Sequence, residues 1–189
     1  MQITFELTAE SIGDDIAARL DLPERASMLD IGGGHGWYSV ALCKRYPSAT
    51  TAVLNISAEL LADAGLDGRI DLRPIDYEVE AIEATADAAL LFNVVHGHDR
   101  STNREFRRKA ADGIGPGGQL AILDQFADEA RASIVHTGTR GLDLTYLVSG
   151  DRTYHTDDPR EWLEATGFRP TDRPEFTDRN TTLVVGEGI

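Results

Sequence analysis

Ser27-Met28-Leu29-Asp30-Ile31-Gly32-Gly33-Gly34-His35-Gly36-Trp37 runs an apolar strand into a glycine-rich turn and then into a helix. Glycine lets the backbone take positive φ and come close to a ligand, and the helix that follows offers unpaired N–H groups to a negatively charged one. The glycines are spaced G-x-G-x-G, at Gly32, Gly34 and Gly36. A dinucleotide fingerprint places its third glycine one residue later, where this chain has Trp37, so nicotinamide and flavin dinucleotides are disfavoured. A P-loop is excluded because no Gly-Lys-Ser/Thr follows. A plain β-to-α turn without a ligand is the alternative that these residues leave open.

Strands and helices alternate outward from this turn. Upstream, Thr8 to Leu20 sets Ile12, Ile16 and Leu20 four residues apart on one face, which predicts an amphipathic helix laid on the sheet. Downstream, the pattern predicts strand Ser27–Ile31, helix Trp37–Tyr46, strand Thr51–Ile56, helix Ala58–Ala64, strand Ile70–Ile75, strand Ala88–Val95, helix Asn103–Ile114 and strand Gln119–Gln125. Near-continuous apolar runs such as Ala88-Ala89-Leu90-Leu91-Phe92 signal a parallel sheet covered on both faces.

Thr102-x-x-Glu105 reads as a capping box, and Gly115-Pro116-Gly117-Gly118 as the stop before the next strand. Arg100, Arg104, Arg107, Arg108 and Lys109 are expected to form the solvated outer face of the helix between them. Residues Ala127 to Gly150 read as helical and mixed in polarity. A loop then leads to a helix start at Asp157-Asp158-Pro159, and that helix ends at Gly167. Phe176 and Leu183-Val184-Val185, on either side of Thr177-Asp178-Arg179-Asn180, read as a terminal antiparallel hairpin.

A length of 189 residues predicts a single α/β domain over residues 1–189. The net charge of −14 argues against a general phosphate-backbone binder, which needs Lys and Arg to neutralise phosphates. Neither nucleic acid nor a membrane is an expected partner; a small molecule is. The opening Met1-Gln2-Ile3-Thr4-Phe5-Glu6 has no basic start and no apolar run of signal length, which points to the cytoplasm. Cys43 is the single cysteine, so no internal disulfide forms, and it reads as a small buried residue. Lysine occurs only at Lys44 and Lys109 beside many arginines, a usage that hints at a GC-rich bacterial genome.

Open α/β sheets bind ligands beyond the carboxyl ends of their strands. The polar residues at those ends are Asp30 with the glycines, Asn55 before Ile56, Asp76-Tyr77, His96-Gly97-His98-Asp99 and Asp124-Gln125. His96-x-His98 with Asp99 and Asp124 supplies two imidazoles but no compelling third ligand, so no metal site is expected. His136 falls within the expected helix of residues 127–150 and reads as a packing or surface residue.

With Asp30 ahead of it, the pattern D-x-G-x-G-x-G resembles the first motif of S-adenosylmethionine (SAM) dependent methyltransferases. The resemblance extends to Leu91-Phe92-Asn93-Val94-Val95-His96, to Gly115-Pro116-Gly117-Gly118-Gln119-Leu120-Ala121-Ile122-Leu123-Asp124 and to Trp162-Leu163-Glu164-Ala165-Thr166-Gly167-Phe168. In order and spacing these look like the motifs of small-molecule O-methyltransferases of the plant phenolic and bacterial polyketide type. The resemblance implies a Rossmann-like, mostly parallel seven-stranded sheet with helices on both faces and an antiparallel C-terminal strand. SAM would lie across the strand ends.

The implied cofactor-binding residues are Asp30, Gly32, Gly34, Gly36, Asn55, Ile56, Asp76, Tyr77 and Asn93. Asp76 would face the adenine amino group, and Tyr77 would flank the ring. Asn55 departs from the acidic residue that usually grips the ribose, which replaces a charge-assisted hydrogen bond with a neutral one.

His96 matches the family's catalytic base and Asp124 the carboxylate that orients it. Tyr154 and His155, on the loop over the cleft, read as substrate contacts or as exposed loop residues, and Phe126, Tyr146 and Trp162 as walls of an aromatic substrate pocket or as core. The second orienting glutamate, expected around Arg152 to His155, has no counterpart. The implied reaction is methylation of a hydroxyl on a small aromatic or polyketide-like metabolite. The alternative is a non-catalytic or partner-dependent SAM-fold subunit. Family members commonly carry a helical N-terminal domain that dimerises. The short helix ahead of the first strand leaves three arrangements open: a minimal enzyme, a domain of a longer protein, or a subunit completed by a homodimer or separate polypeptide.

Overall fold

Met28, Leu29 and Ile31 on β1 (Ser27–Ile31) are buried although successive side chains point to opposite faces of the sheet. A strand covered on both sides has no solvent face to mark with polar residues, which is why β1 reads as an unbroken apolar run. The computed structural model describes residues 12–55, 66, 68–82, 85–127, 154–155, 157–171, 176–178 and 181–189.

Parallel β2 (Thr50–Asn55) and β4 (Ala86–Phe92) flank β1. β3 (Ile70–Pro74) continues beyond β2, and β5 (Ile114–Ala127) beyond β4, all in parallel register. Past β5 the direction reverses at β9 (Thr181–Gly188), whose outer side takes β7 (Phe168–Pro170). The path β3-β2-β1-β4-β5-β9-β7 is the expected seven-stranded, mostly parallel sheet, with its antiparallel C-terminal strand at β9. The two-residue β6 (Tyr154–His155) pairs with the end of β5, and β8 (Phe176–Asp178) with β9. β8 and β9 form the terminal hairpin that Phe176 and Leu183–Val185 predict.

One face of the sheet presents Met28, Leu90, Phe92, Ala121 and Leu123 to α1 (residues 12–17) and α2 (Trp37–Arg45). Ile12, Ile16 and Leu20 are buried there as their spacing predicts, and Cys43 lies among them, fully buried. The opposite face presents Leu29, Leu91, Ile122 and Val184 to α3 (Arg100–Asp112) and α4 (Asp158–Ala165). Because consecutive residues feed opposite clusters, both cores are built from the same strands. Among the described residues, no helix is long and apolar enough to cross a membrane.

Three local expectations change. α3 starts at Arg100, not Asn103, because Asp99 is its N-cap, and its Oδ1 accepts the Thr102 amide at 2.9 Å. The Thr102–Glu105 capping box does not form, since Glu105 is drawn instead to Arg108, 2.7 Å away. β4 ends at Phe92, because Asn93 takes positive φ of 53° and a 3₁₀ turn, Val95–Gly97, follows.

The basic face of α3 is also divided. Arg104 and Arg108 are exposed, but Arg107 is buried with its guanidinium 4.3 Å from the centre of the Trp162 ring. The Lys109 ammonium donates to the carbonyls of Tyr77, Glu78 and Glu80 at 2.9–3.0 Å, tying α3 to the turn after β3. The expected helices Ala58–Ala64 and 127–150, with His136, fall outside the described residues.

Candidate active site

The sheet order reverses between β1 and β4, and the crevice of a doubly wound sheet opens at such a point. Here the glycine turn leaves β1. Gly32, Gly34 and Gly36 all have positive φ, at 71°, 54° and 71°, which explains why glycine recurs at every second position.

The turn is held between two walls. A Cβ on Gly33 would lie 2.4 Å from the Asp30 carboxyl carbon, and one on Gly32 would lie 2.7 Å from Val94 and 3.2 Å from the Tyr77 hydroxyl. A Cβ on Gly34 would meet nothing within 4 Å, so this residue borders open space. Gly36 caps α2 without a side-chain hydrogen bond, which leaves the first amides of that helix for an anionic group.

Asp30 is fully buried beneath the turn. Ser39 Oγ donates to its Oδ2 at 2.6 Å, whereas Oδ1 is buried with no partner. Burial pushes its pKa up to about 6, against the lowering effect of the Ser39 bond. On β2, Asn55 Nδ2 donates to the Gly34 carbonyl at 3.4 Å, a use for an amide that a carboxylate cannot serve. Asn93 Nδ2 donates to the Tyr38 hydroxyl at 2.9 Å, and its own amide donates to the Leu123 carbonyl.

Beyond β3, Asp76 closes a turn by accepting the Glu78 amide at 3.1 Å on Oδ1. Tyr77 packs edge-on against Phe106, and burial raises its phenol pKa. His98 lies 4.7 Å from the Phe106 ring centre and 6.4 Å from that of Tyr77, with Glu78 at 3.8 Å. Burial is the main cause lowering its pKa, ahead of the raising effect of Glu78. His98 is thus an aromatic packing residue. Among the described residues, no group of three or more His, Cys, Asp or Glu is placed to hold a metal ion.

At the ends of β4 and β5, His96 and Asp124 meet. His96 Nδ1 and Asp124 Oδ1 are 2.8 Å apart, and the carboxylate is fully buried. Its Oδ2 accepts the amides of Val95, at 2.9 Å, and His96, at 3.2 Å. A carboxylate on Nδ1 holds the proton there, which leaves Nε2 as the basic nitrogen of a neutral imidazole.

Residues 4–169 match the family model of the O-methyltransferase domain. The chain belongs to this O-methyltransferase family. The family uses SAM, and the glycine turn with its open side at Gly34 and uncapped helix suits that ligand. The 3-hydroxy-5-methyl-1-naphthoate 3-O-methyltransferase of Streptomyces sahachiroi is 27% identical over 176 residues, covering 90% of this chain and 51% of its own length. The mitomycin biosynthesis 6-O-methyltransferase of Streptomyces lavendulae is 30% identical over 139 residues, covering 70% of this chain and 38% of its own. The crystal structure of TnmH superposes with a TM-score of 0.76 at 25% identity, covering 99% of this chain and 57% of TnmH. The chain spans about half the length of the curated relatives it matches.

Within this O-methyltransferase domain, the expected residues divide. Asp30, the three glycines, Asn55, Asp76, Tyr77, Asn93, His96 and Asp124 all lie at the carboxyl ends of β1 to β5. Phe126 and Tyr154 are buried beside Trp162, with ring centres 6.3 Å and 4.9 Å from it. The Tyr154 hydroxyl is engaged, donating to the His98 carbonyl. Ile56 and Tyr146, and the side chain of His155, fall outside the described residues.

Asn103, which the sequence analysis does not single out, lies against the turn that carries His96. It is fully buried on α3, and its Nδ2 contacts the carbonyls of Val95 and His98 at 2.8 Å and 3.1 Å. Its signal was present: a polar residue three before Phe106 and seven before Ala110 interrupts an apolar stripe.

Proposed function

We propose that this domain methylates a hydroxyl of a small aromatic or polyketide-like metabolite, with His96 as the general base. The observation that carries this reading is the His96–Asp124 pair, formed between the turn that follows β4, the neighbour of β1, and the adjoining strand β5. The naphthoate and mitomycin relatives, both named as O-methyltransferases, support the substrate class.

When bound, SAM supplies a methyl group on a sulfonium, an electrophile that needs no activation from the protein. The residues of the chain then have two tasks. The turn from Gly32 to Gly36, with Asp30 beneath it and Asn55 beside it, holds the cofactor and so fixes the direction of attack. That proximity carries a large share of the rate. Asp76 and Tyr77 bind its adenine end.

His96 has the second task. Its Nε2 accepts the proton of the acceptor hydroxyl as the oxygen attacks, a contribution of about a hundredfold or more in rate. The imidazolium that forms is stabilised by the Asp124 carboxylate on Nδ1, in the manner of a triad carboxylate.

The test is methyl transfer from labelled SAM to a panel of dihydroxynaphthoates and simple phenols, by the parent and by His96→Ala. The expected result is transfer by the parent, a loss of about a hundredfold in the variant, and equal calorimetric affinity of both for S-adenosylhomocysteine. A His96→Ala variant that methylates as fast as the parent at every pH removes the base assignment.

A further inference from the structure

The segment that carries His96 is held from two sides. Asp124 takes its amides, as described. Its carbonyls are taken by two residues from elsewhere in the chain. Asn103 Nδ2 lies 2.8 Å from Val95 O and 3.1 Å from His98 O, one carbonyl on either side of His96. The Tyr154 hydroxyl donates to His98 O and receives Asn103 Nδ2 at 3.1 Å.

We infer that Asn103 and Tyr154 are positioning residues for the base: they clamp the 3₁₀ turn Val95–Gly97 so that the His96 imidazole stays on Asp124. The inference rests on the proposed role of His96, and it assigns Tyr154 a function other than substrate contact.

The physical reason lies in the length of the turn. A three-residue 3₁₀ turn has few hydrogen bonds of its own, and its geometry is soft. Asp124 fixes the amides of Val95 and His96 but does not reach the far end at His98, where the ring packs on Phe106 and the carbonyl is left to Asn103 and Tyr154. A rotation of the peptide between Val95 and His98 would swing the imidazole off Oδ1 while the strands stayed in place.

Asn103 opposes that motion because one amide group reaches both ends of the turn. It comes from the first turn of α3, which Asp99 caps, so the clamp is anchored on a rigid element. Tyr154 adds a hold from β6, whose Tyr154 pairs with Phe126 on β5. Asn103 and Tyr154 are buried, so their bonds to the turn face no competition from water. Neither side chain needs to touch cofactor or acceptor to affect the rate.

The experiment observes the imidazole directly, in protein loaded with S-adenosylhomocysteine, by long-range nitrogen–proton correlation spectra of the ring across a pH series. The parent, Tyr154→Phe and Asn103→Ala are compared, with His96→Ala to assign the signal. Tyr154→Phe keeps the shape of the ring and removes only the hydroxyl, so it decides the matter if Asn103→Ala fails to fold.

The parent is expected to show one tautomer, protonated at Nδ1. The variants are expected to show a mixture of tautomers and a displaced titration midpoint. The turnover of whichever phenol the parent methylates fastest should fall about threefold to tenfold in Tyr154→Phe, the scale of one lost hydrogen bond, with KM for SAM unchanged. Folded variants whose His96 spectra and titration match those of the parent overturn the clamp. Failure of the base reading is seen separately, in undiminished turnover by His96→Ala.

Discussion

Asp124 holds His96 through both the imidazole and the backbone: Oδ1 lies 2.8 Å from Nδ1, while Oδ2 accepts the His96 amide at 3.2 Å. One buried carboxylate therefore sets the position of the turn and the tautomer of the ring together. Replacing it by asparagine keeps the shape but removes the charge that stabilises an imidazolium. Asp124→Asn is expected to lower turnover about a hundredfold or more, with the affinity for S-adenosylhomocysteine unchanged. Steady-state kinetics beside calorimetry checks this; a parallel loss of cofactor binding would show that Asp124 serves the turn alone.

The glycine turn separates packing from binding. At Gly33 an added Cβ collides with the Asp30 carboxyl, whereas at Gly34 it meets nothing and incurs only the backbone strain of φ 54°. Gly33→Ala is expected to lose most of its thermal stability. Gly34→Ala should fold, with a cost of about 1 kcal/mol from the left-handed backbone, yet bind S-adenosylhomocysteine at least tenfold more weakly, because its new methyl group projects into the cofactor space. Thermal unfolding and calorimetry on the two variants separate these effects.

Asp30 makes stability depend on pH. Its pKa is raised by burial from 3.8 to about 6, so the folded state binds a proton that the unfolded state releases between those values. The carboxyl therefore contributes no penalty below pH 3.8, and its penalty is complete above about pH 6, where the buried group is charged. A shift of this size corresponds to roughly 3 kcal/mol. Asp30→Asn keeps an acceptor for Ser39 and removes the penalty. Urea unfolding should show it more stable than the parent at pH 8, with the gain shrinking towards pH 4; a gain independent of pH would contradict the assignment.

Arg107 carries a buried guanidinium whose Nε and Nη1 have no partner, over the Trp162 ring. Burial lowers its pKa to about 10, with repulsion from Arg104 next. Relieving the desolvation of an unpaired charge outweighs a cation–π contact worth about 1–2 kcal/mol. Arg107→Met, which keeps the apolar stem, is expected to be as stable as the parent or more so in urea. A loss above about 2 kcal/mol would mean that the stack on Trp162 dominates.

What could be read from the sequence follows physical scale. β1, its turn and the start of α2 were legible because Gly32, Gly34 and Gly36 impose positive φ locally. Ile12, Ile16 and Leu20 were legible because burial follows helical period. The cap of α3 was not: Asp99 and Thr102 are both good N-caps, and the choice between them depends on where the 3₁₀ turn ahead of the helix ends. Arg107 was misread because the partner that buries it, Trp162, lies 55 residues away along the chain. Periodicity on α3 carries no trace of it. His96 and Asp124 were legible as strand-end residues, but their meeting depends on β4 and β5 being neighbours, a fact of topology.

The most direct measurement is a crystal structure with S-adenosylhomocysteine bound. The ligand is expected against Gly32 to Gly36, with its sulfur towards the His96 imidazole and the His96–Asp124 contact kept. A ligand bound away from the glycine turn, or a His96 ring directed away from the sulfur, would contradict the proposed methyl transfer.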